Sequence, residues 1–262
     1  LLHQSISAQM SKAPAMAGQA CAIVTGGARG IGYAIAARLV QDGYHVALWD
    51  IDAAETKKAA ASLGPSCEGM IVDVTDANQI TTALTALSRN GRALHAVINN
   101  AGILGPVAKI IDLDEADYQK VMDVNLRSQY LVCKAVIPVM LAQQGPVRGR
   151  IVNMSSVQGK EGMALSGAYG ISKAAILALT KILGKEHAAD GILINCVTPT
   201  AVETDMATLL SPARRQDILS RIPMGRFIET EEVAALVSFL CSDDCTFSTG
   251  AAFDLSGGRL NS

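Results

Sequence analysis

With 262 residues, half of them hydrophobic and 18% charged, the chain is long enough to bury one large α/β core. A formal net charge of −2 gives no electrostatic reason to expect nucleic acid or an anionic membrane surface as partner. No apolar run approaches the roughly 20 residues that span a bilayer, and the six cysteines (Cys21, Cys67, Cys133, Cys196, Cys241, Cys245) show no metal-ligand spacing. Buried free thiols in a reducing cytoplasm, with no metal, are the expectation.

Residues 1–19 are rich in Ser, Ala and Gln and lack the basic start and long apolar core of a secretory signal. They are expected to form a flexible leader, with Met10 as a candidate natural start. From Ala20 onward, short Val- and Ile-rich runs at 22–25, 45–49, 67–72, 96–99, 150–154, 193–197 and 252–255 predict strands. Segments of helical period follow them near 31–42, 53–63, 77–90, 115–144, 170–189, 212–222 and 231–241. Continuous apolar strands alternating with amphipathic helices predict a parallel sheet covered on both faces, doubly wound, in one domain over 20–262.

The first strand runs into Thr25-Gly26-Gly27-Ala28-Arg29-Gly30-Ile31-Gly32. Glycines between a strand and a helix let bare backbone approach a pyrophosphate, which the helix N-terminus favours. Close helix–strand packing also explains them. Asp50 ends the second strand, eighteen residues after Gly32. A carboxylate there can accept the hydroxyls of an adenosine ribose and repels a 2′-phosphate. Arg29 pulls the other way, as a cation able to pair with that phosphate. Asp50 would stand in the phosphate's place, so NAD is expected over NADP.

Asp73-Val74 ends the third strand, where a carboxylate can accept from the adenine amino group. Asn99-Asn100-Ala101-Gly102 ends the fourth, at the crevice where open α/β sheets bind ligands, although Asn and Gly are also ordinary turn formers. Asn125 interrupts an apolar helical stretch, where its amide either bonds backbone and kinks the helix or anchors a water. The fifth strand ends in Ser155-Ser156, and Ser156 precedes Tyr169 by thirteen residues. Tyr169 and Lys173 stand one turn apart on one helix face. An ammonium beside a phenol favours the phenolate, which lets the pair exchange a proton with an alcohol or carbonyl.

Thr25-Gly26-x-x-x-Gly30-x-Gly32, Asn99-Asn100-Ala101-Gly102, Asn125, Ser156 and Tyr169-x-x-x-Lys173, in this order and spacing, resemble the short-chain dehydrogenase/reductase family over the chain from Ala20 onward. The resemblance implies a Rossmann fold with Tyr169 as general acid/base and Ser156 holding the substrate oxygen. Lys173 would lower the tyrosine pKa and bind the nicotinamide ribose, and Asn125 would position a relay water. Ser155 would be structural. The dinucleotide would lie against Gly26, Arg29, Gly30, Ile31 and Gly32, then Asp50 and Ile51, then Asp73 and Val74. Its nicotinamide end would meet Asn99, Ala101 and Gly102, Tyr169 and Lys173, and Pro199, Val202 and Thr204. A homotetramer is implied as well, and the long helical segments at 115–144 and 170–189 are apolar on more than one face.

One departure is that Thr200 follows Pro199 where the family usually has glycine, which adds a side chain near the nicotinamide end. The tail from Arg221 to Arg259 is similar to a subgroup of 2-keto-3-deoxy-L-rhamnonate or -fuconate 4-dehydrogenases. The expected activity is therefore NAD-dependent interconversion of a secondary alcohol and a ketone on a small polyhydroxylated substrate, a keto-deoxy sugar acid or polyol. The alternatives are an NADPH-dependent 3-oxoacyl-[acyl-carrier-protein] reductase and a non-catalytic NAD-binding regulatory protein. A substrate carboxylate needs a cation, for which Lys160, Arg214, Arg215 and Arg259 are candidates. Residues 201–224 are the expected substrate lid. His3, His45, His95 and His187 form no constellation.

Overall fold

A computed structural model describes residues 20–204 and 211–260. The expected leader lies outside them, as do residues 205–210 of the expected lid. Seven strands form one all-parallel sheet: β1 (Ala20–Thr25), β2 (His45–Asp50), β3 (Cys67–Ile71), β4 (Ala93–Asn99), β5 (Gly149–Met154), β6 (Ile192–Pro199) and β7 (Ala252–Leu255). Their order is β3-β2-β1-β4-β5-β6-β7. The chain winds outward from β1 in one direction, then returns to β4 and winds in the other. The carboxyl ends of β1 and β4 therefore flank the switch point, where such sheets bind ligands.

Two apolar layers cover the sheet. On one face, Ile35, Ala36 and Leu39 of α1 (Gly30–Gln41) and Val233, Val237 and Leu240 of α9 (Thr230–Cys241) pack on Val24, Leu48, Val152 and Val197. On the other, Ile80 and Leu84 of α3 (Ala77–Ser88) and Val132, Val136 and Met140 of α5 (Ser128–Leu141) meet Ile23, Val97, Ile151 and Ile194. Alternate strand residues serve opposite layers, which is why the central strands read as unbroken apolar runs. α2 (Ala53–Leu63) starts on an Asp52 side chain that accepts from the Glu55 amide at 3.1 Å. α9 starts on a reciprocal Glu229–Glu232 capping box.

The single helix expected over 115–144 is instead α4 (Glu115–Met122) and α5, joined by a π-helical turn at Asp123–Arg127. Asn125 sits in that turn, and its side chain bonds another loop's backbone. α6 (Gln158–Glu161), outside the expected helical segments, follows Ser156, and α7 (Gly167–His187) begins three residues earlier than its period suggested. Tyr169 therefore lies in the first turn of α7. α8 (Pro212–Ser220) follows the undescribed part of the lid. All six cysteines are free, and all but Cys67 are buried. Among the described residues no helix is long and apolar enough to cross a membrane.

Toward the amino ends of β4 and β5, the buried Arg150 guanidinium bonds His95 Nε2 at 2.5 Å and Asp243 Oδ1 at 3.2 Å. Burial, with the Arg150 charge adding to it, pushes His95 down from 6.5 to about 4. The unfolded chain takes up this proton first as pH falls. Stability from the neutral imidazole is therefore fully present above pH 6.5 and lost as pH falls through about 4. Denaturant titrations between neutral pH and pH 4 should show a loss of about 3 kcal/mol from this group, and His95→Gln should flatten that part of the profile.

Candidate active site

The switch point is stitched by a threonine and an asparagine. Thr25 Oγ1 accepts from the amides of Asn100 (3.0 Å) and Ala101 (3.1 Å). In return Asn100 Nδ2 donates to the carbonyls of Thr25 and Gly26, both at 3.0 Å. These bonds hold the Gly-rich loop against the β4 end. Gly26 has φ +60°, and a Cβ there would lie 2.9 Å from Ala101 Cα. A Cβ on Gly32 would lie 2.1 Å from the Gly26 carbonyl oxygen, so α1 approaches the loop only because no side chain intervenes.

Gly30, with φ +54° and exposed, has no comparable clash: a Cβ there would meet only the Thr204 methyl, at 3.7 Å. Bare backbone thus faces Thr204 across the mouth of the loop, a cradle that a side chain would fill. Arg29 is exposed at the α1 start, with Ile31 half-buried beside it. Asp50 turns its carboxylate back on the loop, accepting from the Ala28 amide at 3.2 Å through Oδ2 and from Asp52 at 3.1 Å through Oδ1. Ile51 beside it is 68% exposed.

Four side chains assemble at the carboxyl ends of β4 and β5. Ser156 Oγ accepts from the Gln158 amide at 3.2 Å, and its hydroxyl acts on the Tyr169 phenol. Lys173 Nζ donates to the Met154 carbonyl at 2.8 Å and lies 5.5 Å from the Tyr169 ring centre. Asn125 Oδ1 accepts from the Ile103 amide at 2.7 Å, while its Nδ2 donates to the Ile103 carbonyl (2.9 Å) and to Ser172 Oγ (3.0 Å). Ser172 Oγ in turn donates to the Tyr169 carbonyl at 2.7 Å. The π turn therefore delivers a carboxamide that fastens the loop after β4 to the start of α7. A Cβ on Gly102 would fall 3.2 Å from Asn125 Oδ1 and 3.5 Å from Lys173 Nζ, so the cleft floor is closed around these groups.

Burial raises the Tyr169 phenol, and the Ser156 hydrogen bond offsets part of that rise. Burial also lowers Lys173 to about 8, with Cys196 opposing. In the free protein the lysine therefore loses its proton before the phenol does, the reverse of a tyrosinate formed at neutral pH by the ammonium alone.

The predicted residues converge here, with differences of detail. The Asn99 side chain turns under the sheet, donating to Asn153 Oδ1 at 2.8 Å and Cys133 Sγ at 3.4 Å, so it does not reach the cleft. Its neighbour Asn100 does the structural work, and the doubled Asn of the motif was the available signal. Asp73 Oδ1 accepts from the Thr75 amide and hydroxyl at 2.8 and 2.7 Å, with Val74 buried beside it. Ser155 Oγ donates to the Lys173 carbonyl at 2.7 Å, a structural role. The Pro199 carbonyl accepts from Val157 at 3.1 Å, and Val202 bridges to Ile228. Of the candidate cations, Arg215 is paired with Glu203 and stacked 4.4 Å from the Phe227 ring, Arg214 pairs with Asp217, and Arg259 with Glu161. Lys160 is exposed.

A glycine cradle at the switch point, an acid at the end of β2 and a Ser–Tyr–Lys group at the end of β5 define a dinucleotide-dependent alcohol/ketone oxidoreductase site. The family model described as Enoyl-(Acyl carrier protein) reductase matches residues 26–259. The 2-dehydro-3-deoxy-L-rhamnonate dehydrogenase (NAD(+)) of Sphingomonas sp. (strain SKA58) is 38% identical over 239 residues, 91% of this chain and 94% of that protein. The 3-oxoacyl-[acyl-carrier-protein] reductase FabG of Thermotoga maritima is 35% identical over 250 residues, 93% of this chain and 98% of that protein. The crystal structure of gox2181 superposes with a TM-score of 0.88 at 31% identity, covering 92% of this chain and 95% of that one. The chain belongs to the short-chain dehydrogenase/reductase family, oxidoreductases that use a nicotinamide cofactor and act on CH–OH groups.

Asn125→Ala should leave the Ile103 amide and carbonyl unpaired in the interior and destabilise the protein by about 2–4 kcal/mol in denaturant titrations. A loss below about 0.5 kcal/mol, the size of an ordinary surface substitution, would remove the anchoring role.

Proposed function

We propose that the protein is an NAD-dependent dehydrogenase of a small polyhydroxylated substrate, a keto-deoxy sugar acid or polyol. The observation that carries the cofactor preference is Asp50, whose carboxylate faces the Gly-rich loop through Ala28 and stands where a 2′-phosphate would need a cation. Support for the substrate class comes from the Sphingomonas relative, whose name specifies a 3-deoxy sugar acid and NAD(+).

Gly26, Arg29, Gly30, Ile31, Gly32 and Thr204 would hold the pyrophosphate, and Asp50 and Ile51 the adenosine ribose. Val74 and Asp73 Oδ2 would border the adenine. The backbone of Asn99, Ala101 and Gly102, with Pro199 and Val202, would frame the nicotinamide end. When bound, the dinucleotide would supply the hydride acceptor or donor. Ser156 orients the substrate oxygen and Tyr169 exchanges a proton with it. Lys173 keeps a positive charge beside the phenol and would hold the nicotinamide ribose. The reaction is thus divided between positioning and one proton transfer at the Tyr169 oxygen.

A second reading, an NADPH-dependent 3-oxoacyl-[acyl-carrier-protein] reductase, is favoured by the FabG relatives and by the exposed Arg29 in the loop. Subunit assembly, as a homotetramer, would use the outer faces of α4, the π turn, α5 and α7. There Met122, Leu126, Tyr130 and Leu179 line an apolar depression of about 360 Å³. Tyr130 is 47% exposed at its rim.

Rates with NAD and NADP across keto-deoxy sugar acids, polyols and 3-hydroxyacyl thioesters decide between the two readings, and a preference for NADPH with the thioester would overturn the first. Tyr169→Phe should cut turnover by about 10³-fold while leaving dinucleotide affinity nearly unchanged. Asp50→Ala should raise the NADP/NAD ratio of kcat/KM by at least about tenfold, because it removes a like charge. An unchanged ratio would show that Asp50 does not read the ribose.

A further inference from the structure

The last strand leads into a tail that is laced back onto the catalytic side of the molecule. The carbonyl of Leu255, at the end of β7, accepts from the Thr200 amide at 3.1 Å, and the Gly257 carbonyl accepts from the Met224 amide at 3.1 Å. Gly257 and Gly258 both hold positive φ, and a Cβ on them would lie 2.9 Å from Ile222 and 3.3 Å from Pro223. The tail therefore runs flush over residues 222–224. Ser256, fully buried, accepts from the Leu260 amide at 3.2 Å and sets the turn that follows. That turn delivers Arg259, whose side chain is 4% exposed, to Glu161 on α6. Its Nε donates to Glu161 Oε2 at 3.1 Å and its Nη2 to Oε1, so both carboxylate oxygens are engaged. α6 is one turn of four residues, too short to hold itself. Its first amides serve Ser156: Gln158 N–H donates to Oγ at 3.2 Å and Gly159 N–H to the Ser156 carbonyl at 3.0 Å. At Gly159 α6 is pressed onto α7, where a Cβ would lie 2.6 Å from the Lys173 carbonyl carbon.

We propose that Arg259 is a positioning residue for Ser156: it clasps Glu161, the clasp fixes α6, and α6 fixes the serine hydroxyl. The guanidinium, its fork already filled by Glu161, serves that frame in place of a substrate carboxylate. This rests on the reading of Ser156 as the group that holds the substrate oxygen. With Gln158 N–H donating to Oγ, one lone pair of that oxygen is occupied and its own proton is left to donate. The tail that carries Arg259 also holds the Thr200 amide, and Val157, between Ser156 and α6, donates to the Pro199 carbonyl at 3.1 Å. One strap thus sets Ser156 against the strand end expected to frame the nicotinamide. An exposed ion pair would contribute little. This one is bidentate, its guanidinium is enclosed, and its carboxylate sits on the turn that bonds Ser156.

Ser156 acts on the oxygen where charge develops, so loosening it lowers kcat and leaves KM nearly alone. Arg259→Ala and Glu161→Ala should each cut kcat by about 10- to 100-fold, with KM for a keto-deoxy sugar acid and for a polyol changed by less than about twofold. The doubly substituted protein should lose no more than either single one, because both changes remove the same link. Arg259→Lys, which keeps the charge but loses the fork, should recover part of the rate. Without substrate, the amides of residues 157–161 should exchange with deuterium faster in both alanine variants, read by mass spectrometry. A KM raised for the acid alone at unchanged kcat would overturn the proposal, because Arg259 would then be a substrate cation. Losses that multiply in the double variant would overturn it as well. Should an alanine variant not fold, Glu161→Gln carries the same measurements with a smaller effect. Absence of turnover on every alcohol and ketone strikes the functional reading, whereas unchanged exchange at 157–161 strikes this one.

Discussion

The site depends on the bonds between Thr25 and Asn100 at the switch point. β1 and β4 are adjacent in the sheet, yet the chain leaves them in opposite directions, so their carboxyl ends diverge into separate loops. One hydroxyl and one carboxamide tie those loops together through four bonds of 3.0–3.1 Å. The Gly-rich loop can then keep Gly26 at positive φ, with α1 pressed against it at Gly32. Without that tie, the glycines that open the cradle would make the loop floppy rather than accessible, since glycine loses the most freedom on ordering.

A second tie performs the same service on the catalytic side. Asn125 bonds both backbone groups of Ile103 and the Ser172 hydroxyl, joining the loop after β4 to the first turn of α7. A regular helix through this region would place the amide elsewhere on the helix face, and the π turn supplies the extra residue. Functional sites often hold such local irregularity because the surrounding bonds compensate for it. Ser155, just after β5, and Ser172 on α7 complete the frame by bonding α7 backbone. Ser156, Tyr169 and Lys173 thus project from a frame held at both ends.

Electrostatics inside that frame run against a simple picture of a lysine acidifying a tyrosine. Enclosure raises the phenol and lowers the ammonium together, because burial penalises both charged forms. Opposing burial are the Ser156 hydrogen bond on the phenol and Cys196 beside the ammonium, whose Nζ also donates to the Met154 carbonyl. The site is therefore tuned by neutral dipoles, with few charges close by. The arginines of α8 and the tail are engaged by carboxylates of their own.

The amino-acid sequence alone determined the alternation of strands and helices, the doubly wound sheet, the glycine turn, Asp50, and the Ser156–Tyr169–Lys173 set. These are local signals: apolar periodicity, turn chemistry, and two side chains one helical turn apart. What the tertiary structure decided is where each member of a motif turns its side chain. Asn99 and Asn100 are the same residue type in adjacent positions, and strand alternation sends one under the sheet and the other onto the loop. The break at Asn125 and the meeting of Arg259 with Glu161 are likewise invisible in periodicity. They arise from contacts between segments about 20 or more residues apart, and only packing brings those segments within hydrogen-bond range.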